Sequence, residues 1–137
     1  MLGEFLKYQA KTNPHPLGLE ISRANGNYLY DIDEKPYLDF VAGVSACPLG
    51  HSHPRVIKAI NDQIKKYTHV MVYGEFAQEP AIKLCEKLVQ LLPDNQHVVY
   101  LTNSGTEAVE GALKLAKKAT KRSGLIAAYK SYHGSTH

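Results

Sequence analysis

The stretch from Val98 to Tyr129 most constrains the fold. Val98-Val99-Tyr100-Leu101 is a run of four β-forming residues without polar alternation, the pattern of a strand covered on both faces. Thr102-Asn103-Ser104-Gly105-Thr106-Glu107 then leads into a helical pattern over 107–120. Gly124 separates that pattern from a second apolar run, Leu125-Ile126-Ala127-Ala128-Tyr129. Strand, helix and strand at this spacing predict a βαβ unit of a parallel sheet and therefore an α/β fold. Two strands and one crossover do not complete a doubly wound sheet, so the chain reads as the N-terminal part of something longer.

Upstream the pattern differs. Leu2, Phe5, Leu6 and Ala10 recur at helical spacing over 2–11, and Pro14 and Pro16 prevent continuation. Residues 19–40 predict a three-stranded antiparallel meander. Its first turn lies at Asn25-Gly26, where both residues tolerate positive φ, and its second at Asp33-Glu34-Lys35-Pro36. A loop rich in Gly, Pro and small residues fills 42–54. Pro54 suits a helix first turn, and Val56, Ile57, Ile60 and Ile64 place an apolar stripe along 54–67. Ala81, Leu84, Cys85, Leu88, Leu91 and Leu92 do the same for a helix over 79–92, ended by Pro93.

The chemistry concentrates where 98–101 meets the next helix. Ser104 and Glu107 have the spacing of a capping box, in which the serine hydroxyl accepts an N3 amide and the glutamate reaches back. Gly105 lets a ligand approach the backbone. Unpaired first-turn amides and the positive end of the helix dipole favour an anion such as phosphate, with the Ser104 and Thr106 hydroxyls as further donors. The same spacing equally suits a capped helix with no ligand, and Glu107, itself an anion, must point away from a bound phosphate. No G-x-x-x-x-G-K-[ST] occurs and no G-x-G-x-x-G follows a strand, which argues for another phosphorylated ligand than a nucleoside triphosphate or dinucleotide.

Tyr132-His133-Gly134 follows the second apolar run, at the strand edge where open parallel sheets bind ligands. Tyr132 offers a flat ring to stack on an aromatic cofactor, or is simply a packed loop tyrosine. His51-Ser52-His53 invites a zinc reading, but no nearby Cys, Asp or Glu completes a ligand set. The expectation is that these histidines bond loop backbone and cap the helix at Pro54. Lys114, Lys117, Lys118, Lys121 and Arg122 form a solvated helix end that complements the dipole.

Composition bounds the function classes. A chain of 137 residues, 44% hydrophobic and 21% charged, is globular in balance. Two cysteines, Cys47 and Cys85, make no disulfide framework, and the N-terminus has no apolar signal core, so a cytoplasmic location is expected. A net charge of +3 demands no polyanionic partner, and neither nucleic acid nor membrane binding is expected.

Six segments in this order resemble the class III pyridoxal-phosphate aminotransferases, the acetylornithine, ornithine and 4-aminobutyrate aminotransferase group. They are Tyr28-Leu29-Tyr30-Asp31, Tyr37-Leu38-Asp39-Phe40, Leu49-Gly50-His51-Ser52-His53-Pro54, Glu79-Pro80-Ala81, Asn103-Ser104-Gly105-Thr106-Glu107-Ala108 and Tyr132-His133-Gly134. The resemblance implies the α/β fold type I of pyridoxal-phosphate transferases. On that reading residues 1–53 are an N-terminal segment with a small antiparallel part. Residues 54–137 then begin the large cofactor-binding domain, with its mixed, mostly parallel sheet. It also implies a homodimer, an amino donor and a 2-oxo acid acceptor. Ser104, Gly105 and Thr106 would hold the cofactor phosphate, and Tyr132 would stack on its ring with His133 beside it. Gly43, Val44 and Ser45 would approach the substrate, and the stretch from Tyr73 to Gln78 would lie near the dimer interface.

The family's Schiff-base lysine lies beyond His137, so the chain alone is expected to be inactive, with no catalytic residue of its own. Relatives that grip a substrate carboxylate carry an arginine directly after the Tyr-His-Gly step, where this chain has Ser135. Val44 stands where ornithine aminotransferases place a tyrosine. A serine hydroxyl cannot replace a bidentate charged contact, so an ω-amino acid or amine donor is favoured over strict use of ornithine or acetylornithine. Other readings are an aminomutase or racemase of the same cofactor family, a non-catalytic dimerisation or binding module, and a metal hydrolase built on His51 and His53.

Overall fold

The computed structural model describes residues 1–71 and 74–136. Tyr73, at the head of the stretch expected near a dimer interface, and His137 lie outside the described residues. The chain divides into two compact units, Met1–Val72 and Tyr73–His137.

The first unit opens with α1 (Leu2–Tyr8), shorter than the periodicity predicts, and continues into the expected meander. Strands β1 (Ile21–Asn25), β2 (Tyr28–Asp31) and β3 (Pro36–Leu38) form one antiparallel sheet in the order β1-β2-β3. Asn25 pairs with Tyr28, leaving Gly26 and Asn27 as a two-residue hairpin loop. Only Gly26 takes positive φ, at 54°; Asn25 stays in the strand. Arg23 pairs with Tyr30, and its guanidinium lies 3.6 Å from the ring centroid, a cross-strand cation–π contact. The register slips between Ile21 and Arg23, and the Ser22 hydroxyl bridges the irregularity by donating to the carbonyls of Tyr30 and Asp31.

Asp31 organises the second turn. One carboxylate oxygen accepts the amides of Asp33 (2.9 Å) and Lys35 (3.0 Å), and the other accepts the Tyr37 hydroxyl at 2.8 Å. The Tyr37 bond first, and then those amides, hold the Asp31 carboxyl below its usual range against the opposing effect of burial. After β3 come a four-residue turn, α2 (Ala42–Ser45), and then α3 (Pro54–Ile64), which has its proline in the first turn as expected. Val56, Ile60 and Ile64 of α3 line an open groove together with Tyr67.

The second unit holds α4 (Glu79–Val89) and α5 (Gly105–Thr120). Ala81, Cys85, Leu88 and Val89 form the less exposed side of α4, and Thr106, Val109, Leu113 and Lys117 that of α5. Lys121 ends α5 in the left-handed conformation at φ 59°, ahead of the glycine expected to punctuate it. The expected parallel strands are absent among the described residues: 98–101 and 125–129 carry no ladder, and Ile126 is fully exposed. A ladder needs a neighbouring strand about 4.8 Å away, and this unit supplies none, so apolar runs suited to two covered faces stand uncovered.

That exposure is general. None of the described residues is buried as a whole, and the surface is 12201 Å². Two separate folded globules of half the 15.2 kDa mass would together expose only about 8,600 Å². The apolar stripes that shape α3, α4 and α5 therefore remain available for further packing. No helix among the described residues is long and apolar enough to cross a membrane.

Candidate active site

Ser104 stands at the N-cap of α5 in extended conformation, and its hydroxyl oxygen accepts the Glu107 amide at 3.2 Å. The Glu107 carboxylate turns back to the Asn103 amide at 2.7 Å, one residue before the N-cap. This variant of the capping box directs the only first-turn anion back along the incoming chain, which resolves its conflict with a bound phosphate. The first intrahelical bond runs from the Ala108 amide to the Ser104 carbonyl. The amides of Gly105 and Thr106 thus have no partner among the described residues, and the Ser104 and Thr106 hydroxyl protons are uncommitted. Four donors converge at the positive end of a 16-residue helix.

The segment after 125–129 folds onto this helix end. A Cβ placed on Gly134, whose φ is 107°, would lie 2.7 Å from Thr106 Oγ1 and 2.9 Å from Thr106 Cα. Only glycine allows that approach. The Ser135 amide donates to Thr106 Oγ1 at 3.4 Å, the Ser135 and Tyr132 hydroxyls lie 3.0 Å apart, and the Thr136 hydroxyl donates to Glu110 at 2.7 Å. The structure so brings Ser104, Gly105 and Thr106 together with Tyr132, Gly134 and Ser135. Tyr132 is 81% exposed and so open to a ligand, and His133 next to it in sequence is exposed too. A Cβ on Gly105 would meet nothing within 4 Å, so the space before the helix end is open. An open, donor-lined cradle with an uncovered aromatic ring at its margin fits a phosphorylated aromatic cofactor.

Val44 and Ser45 belong to the first unit. Ala42, Gly43, Val44 and Ser45 all take positive φ, at 48°, 62°, 56° and 66°. Left-handed backbone costs a non-glycine residue roughly 1–2 kcal/mol, so Ala42, Val44 and Ser45 together store on the order of 3–6 kcal/mol. Val44 is 86% exposed and does not hold the turn by packing.

Asp39 holds it instead. Its Oδ1 accepts the amides of Val41 (3.0 Å) and Ala42 (2.9 Å), and its Oδ2 lies 2.7 Å from His51 Nε2. The Asp39 side chain is 7% exposed. The His51 bond first, and then the Ala42 and Val41 amides, keep its carboxyl below the usual range against the opposing effect of burial. An ionised Asp39 fixes the proton on His51 Nε2. His51 is anchored by its backbone: its amide donates to the Gly26 carbonyl at 2.7 Å and its carbonyl accepts the Gly26 amide at 3.0 Å.

This corrects the expected role of the two histidines. His51 bonds a carboxylate through its side chain. His53 is the N-cap residue of α3 but makes no side-chain cap, and its Nδ1 is buried with no partner among the described residues. Among those residues no three His, Cys, Asp or Glu side chains cluster to hold a metal. The Asp39–His51 pair escapes sequence reading because twelve positions separate its members; only the short Asp39–Ala42 spacing hinted at a side-chain-capped turn.

The class-III aminotransferase family model matches residues 8–137. The chain belongs to the class-III aminotransferases. The family depends on pyridoxal phosphate. The chain is 41% identical to the 4-aminobutyrate aminotransferase GabT of Escherichia coli over 90% of its own length and 28% of that protein's. Among solved structures it is similar to the adenosylmethionine-8-amino-7-oxononanoate aminotransferase of Methanocaldococcus jannaschii. There the TM-score is 0.83 at 32% identity, over 98% of this chain and 34% of the other. It is also similar to the taurine:2-oxoglutarate aminotransferase of Bifidobacterium kashiwanohense, solved in complex with PLP and glutamate. That match has a TM-score of 0.82 at 30% identity, over 96% of this chain and 30% of the other. The aminotransferase fold is thus established, with the small antiparallel sheet as its N-terminal element. The chain spans about a third or less of the length of these relatives.

Proposed function

We propose that the full-length protein containing this sequence is a pyridoxal-phosphate-dependent aminotransferase. It moves an amino group from an ω-amino acid or amine to a 2-oxo acid such as 2-oxoglutarate or pyruvate. The observation that carries this reading is the cradle at α5, where unpaired Gly105 and Thr106 amides and the Ser104 and Thr106 hydroxyls converge beside the Tyr132–Ser135 segment. In it Ser104, Gly105 and Thr106 would hold the phosphate, and Tyr132, with His133 beside it, would offer its ring to the pyridine. Bound pyridoxal phosphate supplies an electron sink for the carbon that carries the amino group.

The family resemblance assigns Val44 and Ser45 to the donor. It assigns Ser135 to the donor as well, and that residue offers a neutral hydroxyl, already engaged with Tyr132, and no cation for a substrate carboxylate. The protein acts as a cytoplasmic homodimer, and the 137 residues alone, whose lysines do not match the context of the family's Schiff-base lysine, do not turn over.

The test uses the full-length protein. It should acquire the absorbance of bound pyridoxal phosphate, lose most of it in the Ser104→Ala/Thr106→Val double variant, and transfer amino groups from ω-amino donors faster than from acetylornithine. A colourless protein that takes up no pyridoxal phosphate sinks the reading. A product whose amino group has moved within one molecule makes it an aminomutase.

A further inference from the structure

We infer that Asp39 and His51 are positioning residues for the donor side: as a clamped pair they hold Ala42–Ser45 in its left-handed turn and so present Val44 and Ser45 to the substrate. The inference rests on the proposed placement of Val44 and Ser45 at the donor.

Three observations carry it. The turn is strained at consecutive residues, one of them β-branched, and strain of that kind persists only where the surroundings over-determine it. Val44 is exposed, so packing of its side chain does not supply the constraint. The constraint is a chain of polar contacts: Gly26 backbone to His51 backbone, His51 Nε2 to Asp39 Oδ2, and Asp39 Oδ1 to the Val41 and Ala42 amides. The Ala42 carbonyl then accepts the Cys47 amide at 2.9 Å, closing the turn from its far side. Each group in the chain has one task. His51 fixes the rotamer of Asp39, and Asp39 accepts two amides at the angle that starts the left-handed turn. Neither touches the reacting atoms, so their loss should alter how the donor is received and leave the phosphate cradle intact.

The experiment compares full-length holoenzymes. His51→Ala removes the donor that aims Asp39; His51→Gln retains an N–H of similar reach. Ala42→Gly, placed in the His51→Ala background, makes the first left-handed position free of strain without restoring the clamp. The expected result is a donor KM raised at least tenfold in His51→Ala with pyridoxal phosphate affinity within twofold of wild type. His51→Gln should lie within threefold of wild type, and Ala42→Gly should recover at least threefold of the loss. Amide hydrogen exchange at Val41, Ala42 and Cys47 should quicken at least tenfold in His51→Ala, which reads the clamp even if the protein proves not to transaminate.

Unchanged exchange at those amides overturns the inference. So does an unchanged donor KM in a wild-type background that turns over, or a KM loss matched by an equal loss of cofactor affinity. A wild-type protein without amino transfer instead refutes the proposed activity, and with it the donor-side role, while the exchange data still decide whether the pair clamps the turn.

Discussion

Replacing Gly134 with alanine tests the cradle most directly, because the structure fixes where the added methyl goes. It would lie 2.9 Å from Thr106 Cα and 2.7 Å from Thr106 Oγ1. The hydroxyl can rotate away, but the backbone carbon cannot, and the contact falls about 0.6 Å short of the ~3.5 Å at which carbon atoms stop repelling. The residue also sits at φ 107°, where an L side chain is strained. Strain of that kind costs about 1–3 kcal/mol, and forced overpacking about as much again. The cheapest relief is for 132–135 to lift off the helix end, breaking the Ser135 to Thr106 hydrogen bond and withdrawing Tyr132 from the cradle. Even 2 kcal/mol against the seated segment corresponds to about thirtyfold in its equilibrium. Titration of the full-length apoprotein with pyridoxal phosphate, followed by absorbance, should show affinity down at least tenfold in Gly134→Ala. Affinity within twofold of wild type would mean that the Gly134 contact does not organise the cofactor site.

Four other outcomes follow from the same geometry. Ser104→Ala should lower stability by about 1 kcal/mol through loss of the N-cap, read as a fall in the thermal midpoint of the full-length protein. Gly111→Ala should raise it: Gly111 lies inside α5, an added Cβ meets only the Tyr100 ring at 3.7 Å, and helical glycine is worse than alanine by about 0.5–1 kcal/mol. Asp39 has a lowered carboxyl pKa, so its stabilisation is present above the ordinary carboxylate range and lost as pH falls through the lowered value. Asp39→Asn should therefore melt below wild type at neutral pH and converge with it in strong acid; a gap constant with pH would contradict this. The 1–137 chain by itself should bind a hydrophobic dye and self-associate, given its uncovered apolar stripes, and a monodisperse monomer that ignores the dye would refute that.

What was legible in the sequence divides along the range of the interactions. The meander was readable because each turn carries its own chemistry: Gly26 at the hairpin, and Asp31 collecting amides two and four residues ahead. Helices α3, α4 and α5 were readable from their apolar stripes; α3 and α4 stop a few residues early, where Lys66, Leu91 and Leu92 donate to carbonyls three residues back and tighten the last turn, and α5 starts two residues sooner than its stripe. The Ser104–Glu107 cap is a local pattern and formed as one. The parallel strands failed for the converse reason. The runs 98–101 and 125–129 have strand composition, but a ladder is a property of neighbours, and composition does not supply them. The Gly134–Thr106 contact and the Asp39–His51 pair are likewise non-local. The left-handed turn at Ala42–Ser45 was illegible because Val44 argues against it, and only contacts from elsewhere in the chain impose it.

The hairpin tip carries a consequence for how this protein can vary. Gly50, at φ 81°, passes so near Gly26 that a Cβ there would lie 3.0 Å from the Gly26 carbonyl oxygen, and the two backbones are bridged at the next residue. Tip length is ordinarily the freest dimension of a hairpin. Here one inserted residue would carry Gly26 out of reach of its mate, and the slack would travel through an imidazole and a carboxylate to a loop sixteen positions downstream. A feature that looks ornamental on the rim of a small sheet thus works as a rivet, and its dimensions are as rigidly set as those of any cofactor contact.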